Sequence, residues 1–249
     1  MRQRIIGAVA RVLEKGRELG ETFHNDRQLL KISFVGLVVV SGSGLLCAKL
    51  LDDVMGGDGA VRADPAITNW IVRHRSPTLT TLARAVTHLG DPLSVIVIAA
   101  AAALALILGR HYRFALLIVS STVGAAVATA VTKFAVQRPR PDRALWLSAA
   151  TGPAFPSGHA TQSVALYAVL AVIAFRLTAR STPRIVLIVV APLVALSVGA
   201  SRIYLAVHWT SDVICGWAVA TTWLATLLLV EWAGPRALED WGGREPLPR

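Results

Sequence analysis

The chain has 249 residues, 54% of them hydrophobic and only 16% charged, with a mean hydropathy of +0.57. Soluble domains carry about 25% charged residues, so this composition excludes an ordinary soluble domain. A formal net charge of +10 could mark a nucleic-acid binder; in so apolar a chain it reads instead as membrane topology and contact with an anionic lipid surface, and no nucleic-acid partner is expected.

The first 31 residues form a charged segment in which Ile5, Val9, Val12, Leu19 and Phe23 recur at helical spacing. That pattern fits a basic amphipathic helix lying on a membrane surface, with a soluble helix or a frayed tail as the alternatives. It is too long and too charged for a cleavable signal peptide. Six uncharged runs follow: Ile32–Ala48, Pro92–Gly109, Phe114–Thr132, Ala160–Phe175, Ile185–Ser201 and Val213–Val230. Most approach or reach the roughly 18 apolar residues of a membrane-spanning helix. The expected fold is all-α, an integral membrane bundle of six transmembrane helices. The bundle would occupy 32–233, between the N-terminal segment 1–31 and a cytoplasmic tail, 234–249, rich in Gly, Pro and charge and loosely held.

Between the first two runs, Asp52 to Asp91 is long but not simply polar. Ile67, Trp70, Ile71, Leu79, Leu82, Val86 and Leu89 fall at near-helical intervals, as expected for one or two interfacial amphipathic helices. Cys47 and Cys215 lie inside predicted spans, where a small apolar thiol packs well. With six spans both termini share a side, and that side holds fifteen Lys and Arg against nine opposite. The positive-inside rule then puts both termini in the cytoplasm and the connections after spans 1, 3 and 5 outside.

Charges at a membrane edge are costly and mark functional candidates. Three polar clusters qualify: KFAVQRPRPDR closing span 3, FPSGHATQ opening span 4, and SRIYLAVHWTSD between spans 5 and 6. All three belong to connections on one membrane face, so they can converge. Lys133, Arg140 and Arg202 supply cations, and guanidinium forks match phosphate oxygens. Ser157 is a candidate N-cap, Gly158 lets a ligand approach the backbone, and free N–H groups at a helix start bind anions. Together they describe a cradle for a tetrahedral oxyanion; taken singly, the cations could be snorkelling side chains.

Asp212, four residues after His208, can fix the imidazole tautomer and leave the other nitrogen free to attack. His159 beside the cradle suits a general acid. An ion-pair cap is the plainer reading of His208 and Asp212, and an interfacial polar residue that of His159. Zinc has the right ligand types here, but the neighbouring cations would repel a dication, so no metal is expected.

The three blocks Lys133-x6-Arg140-Pro141, Pro156-Ser157-Gly158-His159 and Ser201-Arg202-x5-His208-x3-Asp212 resemble the signature of the type 2 phosphatidic acid phosphatase family at every signature position. The resemblance runs from about Asp64 to Val230. It implies that His208 forms a phosphohistidine, Asp212 orients it and His159 protonates the leaving group. Lys133, Arg140, Ser157, Gly158 and Arg202 would hold the phosphoryl oxygens, with no cofactor; Arg138 is left as an auxiliary cation. The implied function is a lipid phosphatase at the outer face of a bacterial-type inner membrane. A polyprenyl diphosphate is the leading substrate, with phosphatidylglycerophosphate or phosphatidic acid as alternatives. Phosphotransfer to another acceptor, or a lipid-phosphate transporter, are the rival readings.

Overall fold

The computed structural model describes residues 30–178 and 181–242, and every regular element among them is helical. In chain order these are α1 (Leu30–Gly56), α2 (Asp64–Arg73), α3 (Pro77–Thr87), α4 (Pro92–Leu108), α5 (Tyr112–Val136), α6 (Gly158–Leu177), α7 (Ser181–Tyr204) and α8 (Thr210–Gly242). Short 3-10 turns occupy Gly59–Ala63, His88–Gly90 and Arg143–Leu145. The expected surface helix over 1–31 lies almost wholly outside the described residues. α8 runs on to Gly242, past the start expected for the tail.

All six apolar runs fall in helices, α1 and α4 to α8. By length and composition α1, α5, α6 and α8 each suffice to cross a membrane. α4 has only 17 residues, about 26 Å at the helical rise, against a hydrocarbon core of about 30 Å. It completes a span only with α3, from which it bends by 49°. In α7 the apolar stretch among the described residues is Ile188–Tyr204. Among the described residues four helices, or five counting the bent pair, are long and apolar enough to cross a membrane, against the six crossings expected. Outward faces carry exposed Leu93, Leu108, Phe134 and Leu193, a surface suited to hydrocarbon rather than water.

Two compact units divide the chain. In the smaller, of which 30–39 and 229–242 are described, Gly36 meets Leu229 so closely that a Cβ would lie 2.3 Å from its Cδ2. The larger, Val40–Leu228, holds the core. There Phe114, Leu117 and Ile118 of α5 pack on Val169 and Ile173 of α6 and on Leu224 of α8. Ala125, Ala165 and Ala220 bring the same three helices together, since small residues let membrane helices approach closely. α2 is amphipathic in an inverted sense: Asp64 and Thr68 are buried while Trp70 is exposed. Its polar face turns inward because it serves an ion network there.

Gly216 of α8 decides how close α8 comes to the start of α6. A Cβ there would lie 2.8 Å from the Ser157 carbonyl oxygen and 2.9 Å from Thr161 Oγ1, and backbone cannot swing away. Gly216→Ala is therefore expected to cost about 1–3 kcal/mol by overpacking, read as a lower thermal midpoint in detergent; an unchanged midpoint would show that the two helices separate freely.

Candidate active site

Helix α5 stops at Gln137, whose left-handed φ of 49° lets its N–H donate to the Lys133 carbonyl at 3.1 Å. Pro139 and Pro141 then forbid continuation, and the chain doubles back on itself. Ala154 N–H donates to the Arg138 carbonyl at 2.8 Å, Arg140 Nε to Gly152 at 2.9 Å, and Lys133 Nζ to the Pro153 carbonyl. The first cluster is thereby knitted to the approach of the second. The second is locked onto the third by Ser157 N–H donating to the Asp212 carbonyl at 2.9 Å. All three predicted clusters therefore meet.

α8 begins at Thr210, just after His208, and Asp212 caps that start: its Oδ2 accepts from Trp209 N–H at 2.8 Å, fixing the first turn beyond His208. His208 instead occupies a tight turn that includes Ala206 at φ 53°. Its side chain is only 2% exposed, and its Nδ1 lies 3.3 Å from Asp212 Oδ2. Nε2 sits 3.0 Å from Arg140 Nη1. A guanidinium can only donate, so Nε2 presents its lone pair and the ring proton belongs on Nδ1, facing Asp212. Burial first, then the charges of Arg140, Lys133, Arg202 and His159, hold His208 well below the usual histidine pKa. The ring is thus neutral, oriented and nucleophilic at Nε2.

The cations behave less simply than a set of free forks. Arg140 directs its N–H groups at the carbonyls of Thr151, Gly152, Pro153 and Val207 and at His208. It offers charge plus the one N–H now on the nucleophile. Arg202 is buried and donates Nη1 to Thr87 Oγ1 at 2.9 Å, leaving Nε without a partner. Ser157 occupies the N-cap of α6, yet its buried hydroxyl makes no cap bond and no other hydrogen bond. An unsatisfied buried polar atom costs about 1–3 kcal/mol, and each of these two is a donor that a bound oxyanion could satisfy. A Cβ at Gly158 would meet only Thr129 Cγ2, at 3.8 Å, so there is room for an oxyanion at the helix start.

Several partners were not foreseen. Arg138 is no free auxiliary cation: Nη2 donates to Asp64 Oδ2 at 2.8 Å and Nη1 to Asp212 Oδ1 at 2.6 Å and to Ser211 Oγ at 2.7 Å. Asp64 also accepts from Ser211 N–H at 3.1 Å and from its hydroxyl. Thr87 holds Arg202, and Asp91 Oδ1 lies 2.7 Å from His159 Nε2. The only linear signal for these was a lone acidic residue at each end of the α2–α3 segment. Among the described residues no three His, Cys, Asp or Glu side chains gather as metal ligands.

Comparison with known proteins matches the same region. The profile of the PAP2 superfamily covers residues 114–235. Phosphatidylglycerophosphatase B of Bacillus subtilis (strain 168) is 28% identical over 158 residues, which is 63% of this chain and 77% of that protein. The crystal structure of the first transmembrane PAP2 type phosphatidylglycerolphosphate phosphatase from Bacillus subtilis superposes with a TM-score of 0.69 at 27% identity, over 80% of this chain and 97% of that one. LpxE of Aquifex aeolicus shares the fold, with a TM-score of 0.53 at 17% identity over 68% of this chain and 94% of that one. Because the PAP2 profile runs through all three signature blocks, the chain belongs to the type 2 phosphatidic acid phosphatase (PAP2) superfamily, among its membrane lipid phosphatases.

Proposed function

We propose that this lipid phosphatase removes the terminal phosphate of a phospholipid headgroup of the phosphatidylglycerophosphate kind. The observation that carries phosphate chemistry at this site is the pair of buried unpartnered groups, Ser157 Oγ and Arg202 Nε, beside the bare Nε2 of His208. The substrate class draws support from the Bacillus subtilis phosphatase matched in sequence and in structure, whose names specify that lipid. A polyprenyl diphosphate remains a second reading, favoured by the Lys and Arg bias that puts the site on the outer face of the inner membrane with both termini in the cytoplasm.

In the proposed cycle His208 Nε2 attacks phosphorus as the bond to the lipid oxygen breaks, and His159 gives a proton to that oxygen. Water then attacks phosphorus, the N–P bond breaks, and His159 takes the proton back from water. Asp212 keeps His208 in its attacking tautomer. Lys133, Arg140, Arg202, Ser157 and the N–H of Gly158 hold the phosphoryl oxygens as charge redistributes, which is most of what phosphoryl transfer asks of a protein.

Purified protein in detergent micelles, offered phosphatidylglycerophosphate, phosphatidate and undecaprenyl diphosphate, is expected to release phosphate from the first with the highest kcat/KM. A higher value on the diphosphate would reverse the order of the two readings. A phosphorylated acceptor in place of free phosphate would turn the hydrolase into a transferase. Since the cations already occupy a metal's place, chelator should leave the rate unchanged; its loss would bring a metal into the chemistry.

A further inference from the structure

The mechanism leaves one carboxylate without a task. Asp91 stands at the break between α3 and α4, at the N-cap of α4, yet its side chain makes no cap bond. Asp is among the best capping residues, and forgoing the cap costs about 1 kcal/mol. The carboxylate instead joins two imidazoles: Oδ1 is 2.7 Å from His159 Nε2 and Oδ2 is 2.6 Å from His88 Nδ1. His88 is 72% exposed, Asp91 33% and His159 17%, so the line runs from the surface to the site.

The break itself is tightly fixed. A Cβ on Gly90 would lie 2.4 Å from Val198 Cγ1 of α7 and 3.3 Å from the His159 carbonyl oxygen, so only glycine lets the turn settle against the start of α6. Tyr167 of α6 donates its hydroxyl to the Leu89 carbonyl at 2.8 Å, and Arg202 of α7 holds Thr87. Residues 87–91 are thus bound to both helices that bear the second and third clusters.

We propose that Asp91 is the positioning residue of His159, so that the site contains two carboxylate–imidazole dyads of opposite sense. Asp212 takes Nδ1 of His208 and leaves Nε2 to attack. Asp91 takes the Nε2 proton of His159 and leaves Nδ1, which has no hydrogen-bond partner among the described residues, to give a proton to the leaving oxygen and later to receive one from water. His88 clamps the second oxygen of Asp91 and stops the carboxylate from rotating onto its own helix. This assignment rests on the phosphohistidine reading above, in which His159 is the general acid.

The test is the dependence on the leaving group. kcat/KM reports steps up to leaving-group departure, so it isolates the step in which the acid acts. Dioctanoyl phosphatidate expels an alkoxide that needs a proton, whereas p-nitrophenyl phosphate expels a phenolate that does not. Asp91→Asn should lower kcat/KM for the alkyl ester by roughly 10–100-fold and for the p-nitrophenyl ester by less than about threefold, with Asp91→Glu restoring part of the loss. Turnover of the activated ester is also the control for folding. Equal losses on both esters, or none on either, would overturn the assignment. Failure of the wild type on both esters would instead defeat the hydrolase reading, and this inference with it.

Discussion

His208→Ala is expected to lose phosphate release by about 10³-fold or more on every substrate the wild type accepts, since a covalent route vanishes with its nucleophile. Lipid binding should survive, because Lys133, Arg140, Arg202 and the start of α6 are untouched. With His208 gone, the Arg140 N–H that met Nε2 at 3.0 Å is released to the phosphate, so KM should hold steady or fall while kcat collapses. Rapid quenching of wild-type enzyme with labelled substrate should trap an acid-labile, alkali-stable phosphoenzyme that the variant lacks. A lipid-phosphate transporter makes the opposite forecast, with transport intact in the variant. Residual turnover near the wild-type rate would mean that the attacking atom is not on His208.

Much of this site was legible from linear spacing. Lys133, Arg140, Ser157, Gly158, His159, Arg202, His208 and Asp212 could be grouped because the connections after α5 and α7 fall on the same side of a helical bundle, a parity set by the count of apolar runs between them. The helical class followed from the same runs. The start of α4 at Pro92 was equally visible, but not that α3, expected as an interfacial helix, could join α4 in one bent span. Nor could spacing reveal Asp64 and Asp91. Each is a lone carboxylate in a long amphipathic segment, and its importance arises only when α2 and α3 fold against the site. The hydrophobic pattern there pointed at the apolar faces, while the informative face was the buried polar one. The second bond of Asp212, to Trp209 N–H, was likewise hidden, because periodicity does not display a capping bond.

Arg138 gives the sharpest contrast between a residue that binds substrate and one that holds the site together. A phosphate-binding cation would keep N–H groups free toward the oxyanion; Arg138 instead bridges Asp64 and Asp212, whose side chains are 2% and 0% exposed, and is itself only 11% exposed. Its guanidinium also lies 5.7 Å from the centre of the Trp209 ring. Arg138→Ala leaves two buried carboxylates without their counterion, a change expected to cost about 3–5 kcal/mol. In detergent this should lower the thermal midpoint by on the order of 10 °C for a chain of this size. Activity should fall too, because Asp212 loses the contact that aims its other oxygen at His208. Arg138→Lys keeps the charge but cannot span both carboxylates with one ammonium, so it should recover only part of the midpoint. Adding Asp64→Asn to Arg138→Ala removes one stranded charge and should be less destabilising than the two single effects combined. If Arg138 were a phosphate cation, Arg138→Ala would leave the midpoint alone, raise KM and weaken vanadate inhibition. The midpoint and KM measured on one preparation therefore decide between the two roles: the bridge predicts that the first moves most.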